Sequence, residues 1–437
     1  MISLRKKLHQ ITIIRILKLA LISIFVITPL RASEAASQQG VQLAAAAPAG
    51  ERANWQQLDA FITFITKRFG HDLTGNLRDD LIDVFLDARY DLVRALTPSE
   101  SAPRDVVPGL FLSTMTRLSP ILRQGALRLP SSSANQFANF AVAVDKVTML
   151  GGIGIQLGFV TITPDMLRGL ARIAEPSLAV DPVDYQVDFD AALRDLLGFG
   201  LPLPAAKPSS LLEQSRLRGP PFPSGQSRRA STRPGFMKIA VGSETENNKL
   251  NQWVPDREEL KAYLTEVREL LNRLGNETLM RIKLDPEFHT LYQNLVFATA
   301  WQESCWRQFI RKGEKVAPLS SVTGDVGLMQ VNQRVWRGVY DIKGLVGDIE
   351  YNGRAGTEIL LNYLSRYAIR KGEHKQPGGV SNLARASYAA YNGGPGHLTR
   401  YRAAKRNPAL KKVDDLFWQK YSAASSGREM DVLQCYD

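Results

Sequence analysis

The chain has 437 residues, 44% of them hydrophobic, which exceeds one ordinary domain and is enough apolar material for globular cores. Its formal net charge of +12 suggests nucleic acid until the charge is located: residues 1–40 carry six basic and one acidic side chain, and residues 201–238 seven and one. An excess concentrated in a leader and a linker argues against a dedicated nucleic-acid surface. Two cysteines and five scattered histidines form no ligand cluster, so no metal and no cofactor is expected.

The N-terminus has a basic region (Arg5, Lys6, Lys7, Arg15, Lys18), an apolar stretch from Leu19 to Leu30 and small residues through Ala36. Residues 1–36 therefore read as a signal peptide, with cleavage after Ala35 and export to the periplasm as the expectation. The apolar stretch is short for a membrane span; an uncleaved anchor starting near Ile11 is the alternative, interrupted by Arg15 and Lys18. Residues 37–53, rich in Ala, Gln and Gly, read as a flexible lead-in.

Residues 54–200 are expected to form a helical domain. Leu77, Leu81, Val84, Phe85, Ala88 and Leu92 recur at spacings of three and four, predicting a helix over Leu77–Leu96. Thr163-Pro164-Asp165 reads as a further helix start, a capping residue before a first-turn proline. The glycine-rich Met149–Gly154 lacks a phosphate-loop tail and is read as a helix break or small-residue packing. The role of this region is not legible; docking a protein partner and peripheral contact with a membrane surface are both open. Residues 201–238 combine seven prolines with serines and arginines, a composition that reads as an extended linker.

Residues 239–437 return to helical patterning. Pro255 precedes an amphipathic run to Leu274, Asp285-Pro286 opens a longer helix, and further helices are expected near 349–370, 381–391 and 413–424. No convincing β alternation and no internal repeat is visible. The expected fold class is mainly α. Three motifs follow one another here: Trp301-Gln302-Glu303-Ser304 after the apolar run Leu295–Trp301, then Gly327-Leu328-Met329-Gln330, then Ala390-Tyr391-Asn392-Gly393-Gly394-Pro395. A carboxyl group behind an apolar run loses solvation of its charged form, which raises its pKa and suits a general acid.

In their order, these motifs resemble the catalytic domain of the soluble lytic transglycosylases, a lysozyme-like α-helical family that cleaves peptidoglycan glycan strands. The resemblance spans roughly Leu284 to Arg402. It implies Glu303 as the catalytic acid, Ser304 assisting from the same helix, and Leu328, Met329 and Gln330 lining sugar subsites, with plain core packing as the alternative for Leu328 and Met329. It further implies that Tyr391 hydrogen-bonds Glu303 and that Asn392 supports the local loop. Trp301, Trp306, Trp336 and Tyr388 are candidates for stacking on sugars, with burial as the alternative.

Arg307-Gln308 departs from the family pattern, and the loop from Lys312 to Thr323 is atypical. So is Asp325, where a small residue is common: a second carboxylate there could hold water and turn the enzyme into a muramidase-type hydrolase, although aspartate beside Gly324 more often builds a turn. A peptidoglycan-binding or secretion-assembly protein is the reading from a different class. In an exported chain the even cysteine count favours a Cys305–Cys435 disulfide, tying the C-terminal tail to the Glu303 helix.

Overall fold

A computed structural model describes residues 52–96, 106–156, 161–206 and 247–436. The leader and nearly all of the Pro-rich linker lie outside the described residues. What is described is mainly helical, and no described helix is long and apolar enough to cross a membrane.

The first helices form where capping and apolar spacing agree. Helix α1 (Trp55–Gly70) starts at Asn54, whose side chain accepts from Gln57 N while Gln57 returns a bond to the Asn54 amide, satisfying two donors that a helix start leaves open. Helix α2 (Gly75–Leu96) buries the whole stripe Leu77, Leu81, Val84, Phe85, Ala88 and Leu92. Helix α3 (Val107–Ala126) pairs with α4 (Ser131–Gln156), and Phe69 of α1 packs on Phe137 and Phe140 of α4. The glycines of Met149–Gly154 do not break α4, which runs through them; each costs only about 1 kcal/mol relative to alanine inside a helix. Helix α5 (Pro164–Ala174) begins as expected, with the Thr163 side chain accepting from Met166 N, and α6 (Ala191–Leu196) follows an Asp190 cap.

The C-terminal half is built around α8 (His289–Ser304). Its apolar residues lie all round the helix and nearly all are buried, as befits a helix at the centre of a fold rather than on its surface. Helix α7 (Leu260–Arg281) covers one side of it; α10 (Ile349–Asn362), continued by a wider π-helical turn over Tyr363–Ile369, lies nearby with α11 (Ser381–Gly393) and α12 (Pro408–Ser425). A short α9 (Ile342–Gly347) precedes α10.

Two small antiparallel hairpins accompany the helices of this mainly α fold. Strands β1 (Phe309–Lys312) and β2 (Lys315–Pro318) turn through Gly313-Glu314, with Gly313 at φ +61°, the left-handed geometry that two-residue hairpin loops favour. Strands β3 (Asp325–Val326) and β4 (Val331–Asn332) flank the second motif. Neither pair is long enough to show alternation in the sequence.

Residues 54–200 and the C-terminal segment share one compact unit, Arg52–Asp437. Arg194 of α6 is fully buried against Glu358 of α10 at 2.7 Å; it also donates to the carbonyls of Phe199, Gly200 and Leu201, while the Tyr340 hydroxyl donates to Glu358. Phe189 bridges to Gly338, and the Asp190 amide donates to the Gly338 carbonyl at 2.7 Å.

Candidate active site

Glu303 lies in the last turn of α8. The residue is partly open to solvent, yet its carboxyl oxygen Oε1 is buried without a hydrogen-bond partner. Burial is the main influence on this group and raises its pKa from 4.5 to about 7; Asp325 adds to the rise, while the nearby Tyr388 hydroxyl, Lys420 and Arg400 oppose it. A carboxyl group in this state holds its proton near neutral pH and can also release it. Lys420 of α12 donates to Gln302 Oε1 at 2.8 Å and stands over the Trp301 ring, and its own pKa is pushed down by burial. Arg400 is committed to Asp414.

The chain leaves α8 through two residues in the left-handed region, Cys305 at φ +52° and Trp306 at φ +61°. Cys305 forms a disulfide with Cys435, and the Tyr436 hydroxyl donates to the Cys305 carbonyl at 2.8 Å. The C-terminal tail is thereby fastened to the end of the helix that carries Glu303. Closing so long a loop constrains the unfolded chain by roughly 4–5 kcal/mol in the entropic model, an upper figure.

Ser304 is buried. Its hydroxyl donates to the Leu328 carbonyl at 2.6 Å and accepts from the Arg307 amide, joining the first motif to the second. Leu328 and Met329 are fully buried in the core. Gln330, at φ +47°, is partly exposed and donates to the Gly327 carbonyl at 2.8 Å. Gly327 sits at φ +75°, and a Cβ there would fall 2.2 Å from Gln308 Oε1 and 2.5 Å from Asn352 Nδ2.

Those two side chains hold the motif in place, and sequence reasoning missed both roles. Gln308 accepts from the Leu328 amide and donates to the Leu345 and Val346 carbonyls. Asn352 accepts from the Met329 amide and donates to the Val326 and Leu345 carbonyls. The one sequence signal was that Gln308 stood at an atypical position.

On α11, both Tyr391 and Tyr388 lie within electrostatic reach of Glu303. The Tyr391 hydroxyl donates to the Met329 carbonyl at 2.7 Å, and Tyr388, one turn earlier on the same face, has its hydroxyl near the carboxyl group. Trp301, Trp306, Trp336 and Tyr388 are all buried, which excludes them as open stacking platforms in this conformation. Asn392 is exposed at the end of α11.

Asp325 is fully occupied locally: Ser321 and Thr323 hydroxyls donate to Oδ2 and Asn332 Nδ2 donates to Oδ1 at 2.8 Å. This network folds the turn before β3. A cavity of about 710 Å³ opens nearby between the N-terminal region and the segment after β4, lined by Trp55, Tyr185, Gln333, Arg334 and Arg337 among others. Glu303 does not line it, so the cavity and the perturbed carboxyl are separate features.

Residues 287–413 match the family model of the transglycosylase SLT domain. The C-terminal part of this chain is an SLT domain. The match contains all three motifs and with them Glu303, Gln308, Met329, Asn352, Tyr388 and Tyr391. Such a domain carries lytic transglycosylase-type cleavage of peptidoglycan, in a lysozyme-like helical fold. No curated protein and no solved structure matches the chain. Among the described residues no group of three or more potential metal ligands converges at the SLT domain or elsewhere.

Proposed function

We propose that this protein is an exported lytic transglycosylase that cleaves the β-1,4 bond between MurNAc and GlcNAc with Glu303 as its single acid and base. Protonated Glu303 donates to the bridging oxygen as that bond breaks, and the carbonyl oxygen of the substrate's own 2-acetamido group bonds to the anomeric carbon. The carboxylate left behind takes the proton of the muramoyl C6 hydroxyl. O6 then attacks the anomeric carbon and displaces the acetamido oxygen, leaving a 1,6-anhydromuramoyl end with no water consumed. Enforced proximity of O6 replaces an external nucleophile.

The observation that carries this reading is the Glu303 carboxyl itself, pushed up to about 7 with an unpartnered buried oxygen inside an SLT domain. The hydrolase alternative needs a second carboxylate free to hold water. The engagement of both Asp325 oxygens by Ser321, Thr323 and Asn332 counts against it. Mass spectrometry of fragments released from purified peptidoglycan separates the two readings: anhydromuramoyl ends are expected, and reducing muramoyl ends would replace this mechanism with hydrolysis.

Peptidoglycan strands are the proposed partner, met in the periplasm after removal of the signal peptide. Residues 54–200 and 239–437 are read as two regions of that enzyme, joined by the linker.

A further inference from the structure

Resting on that functional reading, we infer that helix α2 of the N-terminal region is a positioning element of the cleavage site, acting through Tyr90 and Arg89. The last carbonyls of any helix lack partners within it and must find them elsewhere. At the end of α11, α2 supplies them. The Tyr90 hydroxyl donates to the Tyr391 carbonyl at 3.0 Å, and Arg94 donates to the Gly393 carbonyl at 2.9 Å. Asp87 accepts from the Gly396 amide at 2.8 Å.

Asp87, Tyr90 and Arg94 stand at i, i+3 and i+7, one face of α2, so a single helix surface meets the third motif along its length. Gly394 permits the approach: at φ +92° it lies so close to Tyr90 that a Cβ would come within 2.7 Å of the ring. The Tyr90 hydroxyl in turn accepts from Tyr363 at 3.3 Å, which fixes its direction.

Arg89, the neighbouring residue, holds the second loop. It is almost completely buried, paired with Asp59 of α1 at 2.8 Å, and donates to the Val335 and Arg337 carbonyls at 2.9 and 2.8 Å and to Thr63 at 3.0 Å. Val335 lies six residues beyond Met329, on the segment that leaves β4. Hydrogen bonds thus run from α2 to the second motif: Tyr90 fixes the Tyr391 backbone, and the Tyr391 hydroxyl, on the helix whose Tyr388 lies near the carboxyl, fixes Met329. Neither Arg89 nor Tyr90 lies within the matched SLT span.

Tyr90→Phe in the full chain tests this, because it keeps the ring on Gly394 and removes only the hydroxyl. A 1 Å misplacement of a catalytic group can cost about 100-fold, so the smaller shift from losing one hydrogen bond corresponds to about tenfold. We expect kcat on soluble peptidoglycan strands to fall by about that factor. KM should stay near wild type, the thermal midpoint should fall because the buried Tyr391 carbonyl loses its donor, and amide exchange over residues 391–396 should quicken. Phe140→Leu is the control: it loosens the same helical region away from the cleft and should lower the midpoint while preserving kcat. Wild-type kcat in Tyr90→Phe, or an equal kcat loss in Phe140→Leu, overturns the positioning role. A wild-type chain without Glu303-dependent glycan release sinks the functional reading instead, whatever Tyr90 does.

Discussion

Replacing Glu303 with glutamine is expected to lower glycan release by about a thousandfold or more while the protein stays folded. A positioned acid contributes roughly 10²–10⁴ to such a reaction, and here one carboxyl group serves both proton transfers. Turbidity loss of purified sacculi measures it, and activity within tenfold of wild type would remove Glu303 from the mechanism. The same variant has a stability signature. In the folded protein the carboxyl titrates near 7 and in the unfolded chain near 4.5. Between those values the folded state holds the extra proton, so the group's contribution is full below about pH 4.5 and is lost as pH rises through 7. Glutamine never ionises. Relative to wild type, Glu303→Gln should therefore melt higher at pH 8 and show a smaller advantage at pH 5.

The largest stability loss is expected at Arg194. Arg194→Met leaves Glu358 buried with its main counter-charge gone, and breaking a buried pair in this way costs about 3–5 kcal/mol. Arg281, at 3.2 Å from Glu358, and the Tyr340 hydroxyl would recover part of that. The double variant Arg194→Met with Glu358→Gln should regain stability over the single one, since it no longer strands a charge. Urea unfolding reads both. A loss below 1 kcal/mol in the single variant would mean that the α6–α10 contact does not bind the N-terminal region to the SLT domain as tightly as its burial implies.

Much of the helical fold is legible in the chain because it is written locally. The Leu77–Leu92 stripe, the Thr163 cap before Pro164 and the Asp285-Pro286 start each need only neighbours within a turn or two, and each helix appears there. Of the two readings of Met149–Gly154, the helix break is the one ruled out: glycines weaken a helix without stopping one that is packed along α3. The β1–β2 hairpin was hidden because four-residue strands offer too few alternations to stand out, leaving only Gly313 as a signal.

At the site, the apolar run before Glu303 announces its desolvation, since residues 295–301 surround the helix on all sides. What could not be read is which partner meets the carboxyl. Tyr388 and Tyr391 lie three residues apart on one helical face, and the angle at which α11 crosses α8 decides between them. Gln308 and Asn352 hold the second motif from 20 and 23 residues away. Arg89 and Tyr90 reach their partners across 246 and 301 residues, a separation at which sequence spacing carries no information.

The most direct measurement is the titration of the Glu303 carboxyl in the intact protein, followed by carbon-13 NMR with glutamate labelling and Glu303→Gln to assign the signal. Its midpoint should lie near 7, coincident with the alkaline limb of kcat/KM for glycan release. A midpoint near 4.5, or a pH profile indifferent to it, would contradict the account.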